Sequence, residues 1–281
     1  MPAHTALSRS VSVQAEKTER AVQLGAAGAP DAPVIILSYA HSGAELVQRA
    51  LADGSGLACT VGTGILPMCE AAALSWARID NRQDARMSRL AGLSIRALVS
   101  AQLTALLAAA GMRRWCELAT TGPSAAQAFL QVFPTAKFVC VHRACTDLIS
   151  ATISAHPWSL AGSVPYQFIA GYPANGVAAV AGYWAWATEQ LLEFETACPQ
   201  AAVRVRYEDF AVEPASALRS TRTFLQLPPR GDPQPLGLGQ PSEVGDQESP
   251  QVPTDMIPSP LGERITHLQS RLGYDNSNPT T

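Results

Sequence analysis

Three short apolar runs constrain the fold of this chain more than any other feature. They are Pro33-Val34-Ile35-Ile36-Leu37-Ser38, Lys137-Phe138-Val139-Cys140-Val141-His142 and Ala202-Val203-Arg204-Val205-Arg206-Tyr207. Runs this short, rich in β-branched residues and bounded by turn residues, form strands; the first suits a strand buried on both faces. Residues 112–118 form a weaker fourth strand. Helical patterns alternate with the strands. Residues 44–52 carry Leu46, Val47, Ala50 and Leu51 on one side, and residues 177–198 carry Trp184, Leu191, Leu192 and Phe194, with Pro199 closing the pattern. Strands alternating with helices predict an α/β fold of three layers with a mostly parallel central sheet.

Composition narrows the function classes. The 281 residues include 47% hydrophobic and 15% charged side chains, which specifies a globular body. At a net charge of −3 the chain lacks the basic surface that a nucleic acid requires. A small anionic ligand remains compatible, because a few arginines and backbone N–H groups suffice to hold one. The most apolar helical stretch, residues 97–110, is interrupted by Ser100, Gln102 and Thr104 and is shorter than a membrane span. No apolar run follows Arg9, Lys17 and Arg20, so no signal peptide and no membrane partner are expected, and the expected location is the cytoplasm. The six cysteines are dispersed without a C-x-x-C pair, which reads as buried free thiols. No metal-ligand spacing is present. Residues 1–30 read as a loose tail, with room for a short helix over 13–24, and residues 31–281 as one domain. Residues 228–260, dense in Pro, Gly and acidic side chains, read as a long irregular loop. A last helix over 261–272 stops at Gly273.

The chemistry concentrates where the first strand ends. Ser38-Tyr39-Ala40-His41-Ser42-Gly43-Ala44-Glu45-Leu46 is a tight turn entering a helix. The opening N–H groups of a helix point outward and its dipole favours negative charge, so the segment reads either as a cap and turn or as an anion site. The G-x-x-x-x-G-K-[ST] pattern of ATP and GTP loops is absent, which disfavours a kinase. Downstream, Arg143 ends the second apolar run. A charge at the end of a buried strand needs a partner, either an anionic ligand or Asp147. His142 alternates away from Arg143, toward core or interface.

Taken together, these segments resemble the sulfotransferase family, in its bacterial tailoring-type branch and with its fold related to P-loop proteins. The family's phosphosulfate loop, P-[KR]-[ST]-G-[ST]-[ST]-[WL], aligns with Ala40-His41-Ser42-Gly43-Ala44-Glu45-Leu46. Its R-x-x-x-D-x-x-x-S pattern aligns with Arg143-Ala144-Cys145-Thr146-Asp147-Leu148-Ile149-Ser150-Ala151. The lead-in Phe133 to Phe138 and the segment Val205-Arg206-Tyr207-Glu208-Asp209-Phe210 are also similar. The resemblance implies transfer of a sulfuryl group from 3′-phosphoadenosine 5′-phosphosulfate, without a metal, to a hydroxyl or amine of a small-molecule or carrier-tethered acceptor. It implies that His41, Ser42, Gly43, Ala44 and Glu45 bind the 5′-phosphosulfate, and that Arg143 and Ser150 bind the 3′-phosphate. His41 would assist the leaving group, and Glu70 or His156 would act as base; each also reads as an ordinary polar residue. Trp158, Tyr166 and Tyr172 read as acceptor-pocket or packing residues. A homodimer is left open.

The sequence departs from that pattern at named positions. His41 stands where the family has Lys or Arg, Ala44 and Glu45 where it has hydroxyls, and Ala151 where it has Ser. Leu118-Ala119-Thr120 replaces a segment that supplies a second cation. The alternative reading is therefore a catalytically impaired sulfotransferase-like protein that binds a nucleotide or a partner.

Overall fold

A computed structural model describes residues 31–79, 85–120, 122–228 and 254–274. The tail over 1–30, its helix over 13–24, and most of the loop over 228–260 lie outside them. The five strands are β1 (Asp31–Leu37), β2 (Leu57–Val61), β3 (Arg114–Ala119), β4 (Lys137–His142) and β5 (Ala202–Arg206). They form one mostly parallel sheet in the order β2-β3-β1-β4-β5, as the alternating pattern predicts. β4 and β5 pair in parallel from Phe138 opposite Ala202 to His142 opposite Arg206. The chain runs out from β1 on one side and returns past it on the other, so β1 ends at a switch point. In open α/β sheets, ligands bind outside the carboxyl ends of the strands at that point.

The helices are α1 (Ala44–Ala52), α2 (Ile65–Ile79), α3 (Ala85–Ala110), α4 (Pro123–Val132), α5 (Cys145–Ala155), α6 (Gly176–Ala197), the short α7 (Tyr207–Val212), α8 (Pro214–Ala217) and α9 (Arg219–Phe224), and α10 (Ser259–Leu272). α10 stops where expected, at Gly273 with φ of 75°. The fold divides into two compact units that interleave in sequence.

The first unit comprises residues up to 34, 56–117 and 124–137. Its core stacks Phe129 on Phe133, with ring centroids 4.8 Å apart, and sets Trp115 against Phe129. α3 buries Ile95, Val99, Leu103 and Leu107 at helical spacing. The stretch Arg89–Ala110 within α3 is long and apolar enough to cross a membrane by length and composition, which corrects the expectation that no window reaches that length. The sequence reading stopped at the uncharged core of the helix and missed that Arg89 and Arg96 leave its mean hydropathy high. Glu117 is 1% exposed and accepts from the Thr63 amide at 2.6 Å and from the Thr63 and Thr60 hydroxyls. It fixes the turn from β2 into α2. Of the cysteines, Cys69, Cys116, Cys140 and Cys145 are buried, but Cys59 is exposed and Cys198 half-buried, which corrects the all-buried reading. Cys59 is the central residue of a strand that is buried only in its first two residues.

The second unit comprises residues 35–55, 118–123 and 138–274 of the described chain. Ile35, Ile36 and Leu37 are buried, as a two-face strand requires. α6 is enclosed around nearly its whole circumference from Val177 to Thr188, which makes it the central helix. His142 is fully buried, and its Nε2 lies 2.8 Å from Glu195 on α6. Burial pushes the Glu195 carboxyl up, but hydrogen bonds from His142 and Arg204 outweigh this and hold it below the ordinary 4.5. A carboxylate with a depressed folded pKa contributes stability that is present above the ordinary value and lost as pH falls through the folded one. Glu195→Ala leaves His142 Nε2 without its partner. We expect a loss of about 1–3 kcal/mol at pH 7 and a shallower acid limb, both read from denaturant titrations across pH 3–7.

Candidate functional site

The site is built where β1 hands over to α1. Leu37 ends the strand, the chain turns through residues 38–43, and Gly43 takes the left-handed conformation, φ of 80°, that admits α1. Glycine is required there on two counts. A Cβ at Gly43 would lie 2.1 Å from the Tyr207 ring, and a side chain is strained at that φ. Tyr207, at the start of α7, therefore packs directly against the loop at Gly43. His41 also holds a positive φ, 63°, unusual for a residue with a side chain. Ser42 is 2% exposed, and its hydroxyl is 3.4 Å from the Ala44 amide, a weak cap. The cap and the anion-site readings thus describe the same turn.

Arg143 crosses this loop. Its Nη1 donates to the His41 carbonyl at 2.8 Å and its guanidinium lies 4.7 Å from the centre of the Tyr207 ring. Its Nε is buried without a protein partner. Asp147 is exposed and its described hydrogen bond is with Thr146, so Arg143 is directed to the loop and not to Asp147. The backbone of Arg143 is fixed just as firmly. Its amide donates to the Tyr39 hydroxyl at 2.7 Å, and its carbonyl accepts from Tyr39 and from Trp184 Nε1. Burial pushes the Tyr39 phenol well above its ordinary value, so it stays protonated and can both donate and accept. Tyr183 on α6 accepts from the Ala40 amide at 2.9 Å. Glu208 accepts from the Ala144 amide at 2.7 Å, which caps α5, and from the Tyr274 hydroxyl. Glu208 thus ties the start of α5 to Tyr274.

A cavity of about 320 Å³ is lined by Ser38 to Leu46, Leu118, Thr120, Arg143 and Ala151. The structure therefore brings together six of the nine expected residues: His41, Ser42, Gly43, Ala44, Glu45 and Arg143. Ser150 is half-buried and is not in the lining; its neighbour Ala151 is. His156 ends α5 with its ring edge-on to His41, 5.5 Å between centroids. His156 Nδ1 faces the Thr152 carbonyl at 3.2 Å. A carbonyl only accepts, so Nδ1 is the donor in this contact. Glu70 is half-buried on α2 in the first unit and is not in the lining. Burial, then His156 and Arg143, push the His41 imidazole below its ordinary 6.5, so it is neutral at pH 7. Trp158 is 96% exposed and lines neither this cavity nor the next one described, and Tyr172 packs on Gly182 of α6. Sequence reasoning missed Tyr39, Tyr183 and the Tyr207 lid on Gly43. A tyrosine in the loop after β1 was the one visible signal.

The sulfotransferase family model matches residues 33–231. This chain belongs to the sulfotransferase family. Solved structures agree in fold. A sulfotransferase domain from the curacin biosynthetic pathway superposes with a TM-score of 0.54 at 16% identity, covering 88% of this chain and 99% of that one. A sulfotransferase domain of the Synechococcus PCC 7002 olefin synthase gives 0.52 at 15%, covering 88% and 96%. A sulfotransferase from Alicyclobacillus acidocaldarius gives 0.52 at 13%, covering 88% and 97%. No curated protein sequence matches the chain. Among the described residues, no cluster of three or more His, Cys, Asp or Glu is placed to hold a metal.

Proposed function

We propose that this sulfotransferase-family protein moves a sulfuryl group from 3′-phosphoadenosine 5′-phosphosulfate to a hydroxyl or amine of a small-molecule or carrier-bound acceptor in the cytoplasm. The observation that carries the reading is Arg143, buried at Nε without a partner on the wall of a cavity that opens on the first turn of α1. That arrangement fits an anion. The N–H groups opening α1, from Gly43 to Glu45, take the 5′-phosphosulfate, and Arg143 with Ser150 takes the 3′-phosphate. Positioning and charge stabilisation supply most of the rate in such a transfer. The imidazoles of His41 and His156 serve the acceptor proton and the leaving oxygen. The curacin and olefin synthase neighbours support a biosynthetic role.

His41→Ala should lower turnover of radiolabelled donor by about 100–1000-fold, the usual cost of one transition-state partner, and weaken donor affinity much less. Equal turnover in that variant removes the role. With a depressed His41, the acid limb of kcat/KM falls below pH 6.5 and not above it.

A second reading is a protein that binds the nucleotide without transferring sulfate. It is favoured by the neutral His41 and by Leu118, both on the cavity wall where the family places cations. Donor binding with no sulfated product from any acceptor selects it.

A further inference from the structure

Beside the phosphate-loop cavity lies a second one, of about 160 Å³, in the same unit. Ser38, Tyr39 and Thr120 line both cavities, so the two share a wall. The opposite side is made by Tyr183, Trp186 and Leu191 of α6. Tyr183 and Trp186 form an aromatic cluster with Phe168, with ring centroids 5.6–6.4 Å apart. Trp186 is 43% exposed and Val164, which also lines the pocket, 46%, whereas Leu191 is buried.

Three properties of this pocket select a ligand. Its size is close to the roughly 150 Å³ apolar cavity that holds a single benzene ring. No Asp, Glu, Lys, Arg or His is among its described lining residues, so a charged group inside would be unpaired and costly. Its aromatic walls favour offset or edge-on contact with another ring. The pocket is also tied to the loop, because the Tyr183 hydroxyl accepts from the Ala40 amide next to His41.

We propose that this pocket receives the acceptor and selects a neutral, single-ring phenol. The inference rests on the sulfuryl-transfer reading above. In the transfer, the phenol oxygen forms a bond to sulfur as the bond from sulfur to the 5′-phosphate oxygen breaks. The phenolic proton passes to an imidazole of the His41–His156 pair, and the products are an aryl sulfate and 3′-phosphoadenosine 5′-phosphate.

The test compares acceptors of one size and different charge. With saturating donor at pH 7, 4-methylphenol, neutral because phenols titrate near pH 10, should exceed 4-hydroxybenzoate in kcat/KM by at least tenfold. It should also exceed the two-ring 2-naphthol. Ala187→Phe, which fills the pocket from α6, should remove phenol turnover while the affinity for 3′-phosphoadenosine 5′-phosphate stays within about threefold. Trp186→Ala, which removes a partly exposed wall of the pocket, should raise 2-naphthol turnover relative to 4-methylphenol, and it provides the test should the filled variant fail to fold. Equal rates for the neutral and anionic phenols, or transfer confined to a carrier-tethered acceptor, overturn the pocket proposal while donor binding persists. Loss of the parent reading looks different: no binding of the nucleotide and no transfer to any acceptor.

Discussion

Gly43→Ala is expected to disable the phosphate loop. The new Cβ would lie 2.1–2.9 Å from three carbons of the Tyr207 ring, at a backbone φ of 80°. The backbone strain costs about 1–3 kcal/mol and the overpacking a similar amount. Either the loop moves away from Tyr207 or the ring swings out, and the ring is the surface on which Arg143 lies. Both escapes dismantle the anion site. Tm should fall by several degrees, and affinity for 3′-phosphoadenosine 5′-phosphate should drop by more than tenfold. The two causes separate in a double-mutant cycle. In a Tyr207→Ala background the overlap disappears and only the φ strain remains, so the added Tm loss from Gly43→Ala should roughly halve. An undiminished loss in that background would place the whole effect in the backbone.

The fold was legible in the sequence because strands buried on both faces leave uninterrupted apolar runs. β1, β4 and β5 match the three runs within one or two residues. β2 left a poorer trace: only its first two residues are buried, so Leu57–Val61 lacks a continuous apolar signature. Of the site, the loop and Arg143 were legible from order and spacing. What Arg143 touches was not, since the His41 carbonyl lies 102 residues before it and Tyr207 lies well after it in the chain. Ser150 carries a hydroxyl that suits a phosphate, whereas it is its neighbour Ala151 that lines the cavity. The His41–His156 pair illustrates both sides. Each imidazole stood out as a candidate, but their 5.5 Å approach, which helps to keep His41 neutral, depends on where α5 ends.

Arg143 and the loop beneath it are proposed to form a nucleotide anion site. Replacing an arginine that contacts a buried anion costs about 2–5 kcal/mol, roughly 30-fold to several thousand-fold in Kd. Arg143→Lys keeps the charge but loses the planar fork that reaches the His41 carbonyl, so it should fall between wild type and alanine. The most direct measurement is calorimetric titration of the full chain with 3′-phosphoadenosine 5′-phosphate, for wild type, Arg143→Lys and Arg143→Ala. Tm is followed alongside to show that each variant is folded. Binding should be saturable for wild type, weakened in Arg143→Lys and abolished in a folded Arg143→Ala. No binding by wild type, or equal binding by wild type and a folded Arg143→Ala, would contradict it.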